Sequence, residues 1–393
     1  MTGRYPASLQ LTNQINGRRN GRLRQAEFRK ALPLEEVTLG EVFQAAGYAT
    51  GYIGKWHLGT GEFRPNNQGF ETVTATNDRG HPGSHFAPYR NARDSAANVP
   101  DLEADEDSTY LTDRLTDLAV EFLQANQDES FFLVLSHYAV HTPLHSKPEL
   151  ANRFRTGRSA ASFRSELYNS MTREQQSHAV YAGMITSVDD SVGRILEALR
   201  TLGLSDRTIV VFTSDNGGLS TLSNGRTSAP TAILPLRAGK GWLYEGGVRI
   251  PLIIQGHGIE AGTVRDRPGI TNDLMPTLLS LAGLSPMENL DGQNLLTKAE
   301  PARPLYWHFP HYPGGGNRPS GAIRAGRYKL IEWYETGDIE LYDLEADLGE
   351  TTDLSNAMPA KASELLTMLR TWREGHNAEM PTPNPDYERP AAQ

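Results

Sequence analysis

Apolar residues recur along this chain with two alternating periods. Residues 39–46 have helical spacing and lead into an apolar strand that runs through Ile53. Within 108–126, Leu111, Leu115, Leu118, Phe122 and Leu123 fall on one face of a helix. The run Phe131-Phe132-Leu133-Val134-Leu135 has the length and composition of a buried strand. Thr172 and Gln175 have the spacing of a capping box. They are expected to open a long helix whose stripe is Val180, Met184, Val188, Val192, Ile195 and Leu199, with Gly203 where a C-terminal cap belongs. Two more strands are expected at 208–212 and 251–254, and a helix at about 272–282.

Strands alternating with helices predict an α/β fold, a mostly parallel sheet sandwiched by helices. Sites in such sheets lie beyond the carboxyl ends of the strands. Lys55, His141 and Asp215 each follow an expected strand. From about residue 300 the pattern changes. Short strand-like pieces at 305–309, 322–325, 328–333 and 339–342 precede an amphipathic helix at 360–373. The chain is therefore expected to divide into an α/β domain, 1–299, and a smaller C-terminal antiparallel sheet plus helix, 300–393. Residues 63–107 and 216–239 lack periodicity, and long irregular segments in compact domains often carry function.

Composition narrows the function. With 393 residues, 38% of them hydrophobic, the chain is long enough for a sizeable core. A net charge of −9 argues against general nucleic-acid binding. There is no cysteine, which excludes disulfides, thiolate metal sites and cysteine nucleophiles within these residues. No run approaches the ~18 apolar residues of a membrane span. Met1 opens no signal-peptide pattern, and the compartment is left open.

Four segments carry candidate chemistry. Lys55 and His57 lie in the glycine-bounded turn Gly54-Lys55-Trp56-His57-Leu58-Gly59. Alone, such a lysine reads as a solvated charge and such a histidine as a satisfied polar group. His141 and His145 have the spacing of a helical zinc motif, but Pro143 lies between them and Thr142 stands where a glutamate is needed. A loop with His141 aimed into a cleft is the better reading, with His137 and His145 in supporting places. Asp215 and Asn216, followed by two glycines, suit a hard cation, although alone they read more readily as a turn. Lys240 lies between glycines that permit close approach to an anion, in a segment that continues to Glu245, Arg249 and Pro251. The adjacent Asp189 and Asp190 point in different directions on a helix and read as structural, and the cluster Arg18, Arg19, Arg22, Arg24, Arg29 and Lys30 reads as a solvated loop rather than a polyanion site.

Together these segments resemble the sulfatase family of the alkaline phosphatase superfamily. The match covers the G-K-W-H-L-G turn, the H-x-P element at His141, the S-D-N-G element at Asp215 and the G-K-x-x-x-x-E-G-G-x-R-x-P segment at Lys240. The resemblance implies hydrolysis of sulfate esters through a formylglycine whose hydrate attacks sulfur. It implies Lys55, His57, His141 and Lys240 as catalytic residues, with Lys55, His141 and Lys240 holding sulfate. Asp215 and Asn216 would ligate calcium, with magnesium the alternative. The substrate would be a sulfated small molecule or sulfated glycan, and Trp307, His308, His311 and Tyr312 are candidates for a sugar-binding rim. The family's nucleophile lies just upstream of a Thr-Gly-Arg-Tyr-Pro segment, and this chain begins Met1-Thr2-Gly3-Arg4-Tyr5-Pro6. The family's paired N-terminal aspartates and C/S-x-P-S-R element are absent. The resemblance therefore implies a truncated sulfatase, with an incomplete cation site, unpaired strand edges and little or no turnover. The alternatives are a pseudoenzyme that binds sulfated ligands, and a hydrolase of phosphate or phosphonate esters.

Overall fold

The computed structural model describes residues 1–14, 20–102, 106–155, 160–297 and 303–387. The expected domain boundary at 299/300, and Arg18 and Arg19, lie outside them. The first lobe begins with α1 (Pro6–Leu9), β1 (Leu23–Arg24), α2 (Leu39–Ala45), β2 (Ala49–Gly54), β3 (Thr72–Thr74), α3 (Leu111–Ala125) and β4 (Phe131–Ser136). It continues through α4 (Pro148–Asn152), β5 (Phe163–Glu166), β6 (Ser170–Arg173), α5 (Ala179–Thr201), β7 (Val210–Thr213), β8 (Thr221–Leu222), α6 (Glu245–Val248), β9 (Leu252–Gln255) and α7 (Leu274–Leu281). Then come β10 (Leu305–Phe309), β11 (Ser320–Ala325), β12 (Tyr328–Trp333), β13 (Ile339–Asp343), α8 (Pro359–Gly375) and β14 (Thr382–Pro383).

β2 is the centre of a parallel sheet in the order β3-β2-β4, with Ile53 opposite Leu135 and Gly54 opposite Ser136. Side chains alternate between faces of a strand, and β4 shows what each face meets. Phe131 and Leu133 rest on Leu123 of α3, Leu199 of α5 and Leu204 just beyond α5. Phe132 faces the other way and stacks on Phe43 of α2, ring centroids 4.3 Å apart, beside Met275 and Leu279 of α7. Helices thus cover both faces, as the alternation of periods predicts. α2 opens on a complete capping box, Thr38 accepting from Glu41 N–H while Glu41 accepts from Thr38 N–H.

The capping box expected at Thr172 is not one. Residues 170–173 form β6, which pairs with β5 and β8, and the Thr172 hydroxyl bonds that of Thr221 at 2.8 Å. α5 starts at Ala179, where the His178 ring accepts Tyr181 N–H at 3.2 Å. A threonine suits a strand as well as a cap, and cross-strand pairing decides here.

β7 and β9 form a separate antiparallel pair, Phe212 opposite Ile253. Val210 of β7 rests on the same leucine cluster as Leu133 of β4, yet the two strands do not pair. Each therefore keeps one open edge among the described residues. The β7–β9 pair is poorly covered on one face: Phe212 is 38% and Ile253 59% exposed.

The C-terminal strands make an antiparallel sheet, β10-β11-β12-β13. One face, with Ile323, Leu330 and Leu341, buries Leu365, Leu369 and Trp372 of α8, and also Tyr5 and Ala7 from the start of the chain. The other face, with Ala322, Ile331, Trp333 and Tyr342, packs on Trp242, Leu243 and Tyr244. This sheet is therefore clamped between α8 and the segment that carries Lys240.

Open strand edges with exposed apolar residues template association. Ile253→Lys should reduce self-association, read by light scattering at matched concentration, with the far-ultraviolet circular dichroism unchanged. Equal scattering from both proteins would show that this edge is not the sticky surface.

Candidate active site

The turn after β2 is held by its backbone. Gly54 has φ +100°, and a Cβ there would lie 2.1 Å from Ser136 O, so only glycine lets the chain turn this close to β4. Lys55 N–H donates to Ser136 O at 2.8 Å, and Tyr52 hydroxyl donates to Lys55 O at 2.6 Å. Trp56 is buried, edge-on to Tyr52, and its Nε1–H donates to Phe63 O at 2.9 Å. These anchors send the Lys55 side chain outward, where Nζ lies 3.5 Å from Asp215 Oδ2. His57 follows at φ +59°, a left-handed conformation that is uncommon for a residue with a side chain.

Asp215 stands just past β7 and is two-thirds exposed, its side chain at 67%. Asn216 donates Nδ2–H to Gly217 O at 2.9 Å. Gly217 is pressed against the Lys240 segment: its N–H donates to Gly247 O at 3.0 Å, and a Cβ would lie 1.8 Å from Gly246 O. Lys240 N–H donates to Gly218 O at 3.0 Å. His141 follows β4 in a loop, not a helix, and His137 turns away to Ser191 Oγ at 3.0 Å. His141 Nδ1 lies 3.1 Å from Thr142 O. A carbonyl only accepts, so Nδ1 carries the proton and the Nε2 lone pair is left for a ligand.

Electrostatics tie these residues into one cluster. Burial, then the charges of Lys55 and Lys240, push the His57 imidazole down to about 4. Burial, then Lys240, do the same to His141, also to about 4. Burial, then Lys55, lower the Lys240 ammonium from its usual range, with Asp215 opposing. Both imidazoles are neutral at pH 7, and two ammonium groups share one carboxylate. Such a partly desolvated excess of positive charge is complementary to an anion.

Three neighbours lacked any sequence signal. His81 lies parallel to His141, centroids 6.1 Å apart and planes 5° apart, and its charge is felt at both His57 and His141. Its neighbour Gly80 touches the His57 ring, where a Cβ would come within 2.4 Å. His85 is fully buried and donates Nε2–H to His141 O at 3.1 Å. All three come from the irregular stretch 63–107, whose lack of period was the one available pointer.

His308 and His311 are not brought to this cluster. His308 bonds Tyr334 hydroxyl at 2.8 Å and Glu379 O at 2.9 Å. His311, fully buried, bonds Thr12 hydroxyl at 2.8 Å and Gln25 Oε1 at 3.2 Å. Burial holds both rings neutral, at about 4 and about 3. A divalent cation finds only part of a shell here. Asp215 and Asn216 are hard donors, but no group of three histidine or carboxylate side chains is arranged for a metal among the described residues, and calcium takes six to eight oxygens.

Residues 1–284 match the family model described as Sulfatase, and residues 238–373 match that of the N-sulphoglucosamine sulphohydrolase C-terminal region. Human arylsulfatase A is 31% identical over 87% of this chain and 71% of its own length. Mouse N-acetylgalactosamine-6-sulfatase is 30% identical over 88% of this chain, which spans 64% of that protein. The crystal structure of Ps i-CgsB in complex with k-i-k-neocarrahexaose superposes with a TM-score of 0.73 and 27% identity, covering 95% of this chain and 80% of the other. With the fold, the motif-bearing strand ends and these matches in agreement, the chain belongs to the sulfatase family.

Proposed function

We propose that Lys55, His57, His141 and Lys240 form the sulfate-ester site of this protein. The observation that carries the reading is that the ends of β2 and β7 and the Lys240 loop meet, Lys55 Nζ 3.5 Å from Asp215 Oδ2 and Lys240 N–H bonded to Gly218 O at 3.0 Å, with the charges of both lysines acting on His57 and His141. Members of the family are sulfuric ester hydrolases, and the family generally uses a divalent metal. The relative solved with a carrahexaose supports a sulfated glycan as the substrate class.

The chemistry asks for three things: the anion must be held, the leaving oxygen must gain a proton, and sulfur must meet a nucleophile. Lys55 and Lys240 neutralise the sulfate oxygens, and His141 Nε2 donates to the same anion once it takes up a proton. An ammonium below its usual pKa gives up its proton more readily, so Lys240 is the better placed acid for the leaving alcohol. His57, neutral and beside Lys55, is placed to take a proton when sulfate is released. Asp215 and Asn216 would supply part of the shell of a divalent cation, which polarises sulfate oxygens when bound.

No cysteine is available as the nucleophile. We propose that the nucleophile and the remaining oxygen ligands are not supplied by this sequence and would enter between the open edges of β4 and β7. Both edges rest on one leucine cluster and end at the cleft, which supports this placement. By this reading the chain alone binds sulfate and turns over little.

Lys55→Ala and Lys240→Ala should each weaken inorganic sulfate binding by roughly 10- to 100-fold, the loss expected of a hydrogen bond to a charged group, in isothermal titration. A wild-type protein with no measurable sulfate affinity would sink the site. Affinity should also rise as the pH falls from 7 to 5. Free His57 and His141 titrate near 4, and a bound anion raises both; the complex then holds more protons than the free protein, and acid favours it. His57→Gln with His141→Gln should flatten that slope, and a flat wild-type profile would count against the assignment. The chain should release no 4-nitrophenol from 4-nitrophenyl sulfate above background. Steady turnover would refute the external nucleophile.

A further inference from the structure

Lys240 belongs to the first lobe, but what fixes it lies in the C-terminal sheet. Its loop ends at α6, whose first residue, Glu245, is 2% exposed. The Glu245 carboxylate accepts from Lys329 Nζ at 2.9 Å. Lys329, on β12, also lies 3.0 Å from Glu350 Oε1, and both are fully buried. The triangle closes through the backbone, since Glu245 N–H donates to Glu350 Oε2 at 2.6 Å. Arg249 and Arg324 reach the outer oxygen of Glu245 at 3.6 and 3.7 Å.

The same segment is tied at further points. Trp242 Nε1–H donates to Gly315 O at 3.0 Å, and Tyr244 hydroxyl to Glu340 Oε2 at 2.6 Å. Arg237 pairs with Glu166 at 2.8 Å and donates to Glu350 O at 3.0 Å. Packing of Trp242 and Tyr244 on Trp333 and Tyr342 would suffice to join the lobes. Buried ion pairs are a poor source of stability, because desolvation offsets the attraction. Burial, then the charge of Glu245, push the Glu350 carboxyl up to about 7 against the pull of Lys329. What two directed hydrogen bonds and an ion pair add over apolar contact is a defined position.

We infer that Glu350 and Lys329 are positioning residues for Lys240, setting through Glu245 where the second cation of the cleft stands. The inference rests on the sulfate-site reading. By it, the C-terminal sheet is a structural half of the anion site.

The test combines sulfate titration with hydrogen exchange in the full chain. Glu350→Ala should weaken sulfate about tenfold at a temperature where circular dichroism shows it folded, and add no loss in a Lys240→Ala background, because coupled residues are non-additive. Amides of 239–249 should exchange at least ~10-fold faster while those of β2 and β4 are unchanged. Glu350→Gln, which keeps an oxygen for Glu245 N–H, should lose less affinity than Glu350→Ala. Unchanged affinity and exchange in Glu350→Ala, or a fully additive loss with Lys240→Ala, would overturn the inference. Should Glu350→Ala fail to fold, Glu350→Gln decides: exchange raised first at 239–249 supports positioning, and an equal rise everywhere overturns it. Should the wild type bind no sulfate, the sulfate-site reading falls, and the exchange pattern alone still decides whether Glu350 holds the segment.

Discussion

Lys55 and Lys240, brought from different parts of the chain within reach of the Asp215 charge, set the constraint on which the rest of the structure depends. Like charges repel more strongly as water is removed, and the cleft is half-buried. The repulsion is visible in its neighbours: Lys240 is a weakened base and both flanking imidazoles are kept neutral. A fold that only had to be stable would separate these groups. Here backbone hydrogen bonds do the opposite. Lys55 is tied to β4 and Lys240 to the turn after β7, so neither main chain can retreat.

Support for that arrangement comes from two directions. The parallel sheet and its helices fix the strand ends from below, through apolar cores on both faces. The antiparallel sheet fixes the Lys240 segment from the side, through a mixture of aromatic packing and buried charge. The weak place is the seam between β4 and β7, where, among the described residues, neither strand has a partner on its inner edge. The cluster spans this seam, and the contact between Lys55 and Asp215 crosses it.

Most of the architecture was legible because hydrophobic period reports burial directly. α3, β4, α7 and the four C-terminal strands lie close to where their spacing places them. The start of α5 was misread because Thr172 and Gln175 satisfy a local rule whose alternative, pairing with β5 and β8, is long-range. The motif residues Lys55, His141, Asp215 and Lys240 were legible as types at strand ends and glycine turns. His81 and His85 were not, since their placement depends on the path of an irregular loop. His308 and His311 show the converse. An aromatic, histidine-rich stretch looks like a binding rim in sequence, but here its imidazoles are consumed by internal hydrogen bonds. Lys329 and Glu350 were invisible as a pair because 84 and 105 residues separate each from Glu245.

Gly80 contributes no functional group, yet the His57 ring occupies the space any side chain there would need. With φ at +77° its backbone is also costly for other residues. The two positions thus form a lock in which a missing atom is the key. In a lineage drifting under mutation, position 80 would be frozen for as long as the imidazole at 57 is useful. It would be released once that imidazole is lost, so the freedom of one site becomes a record of whether the other still works.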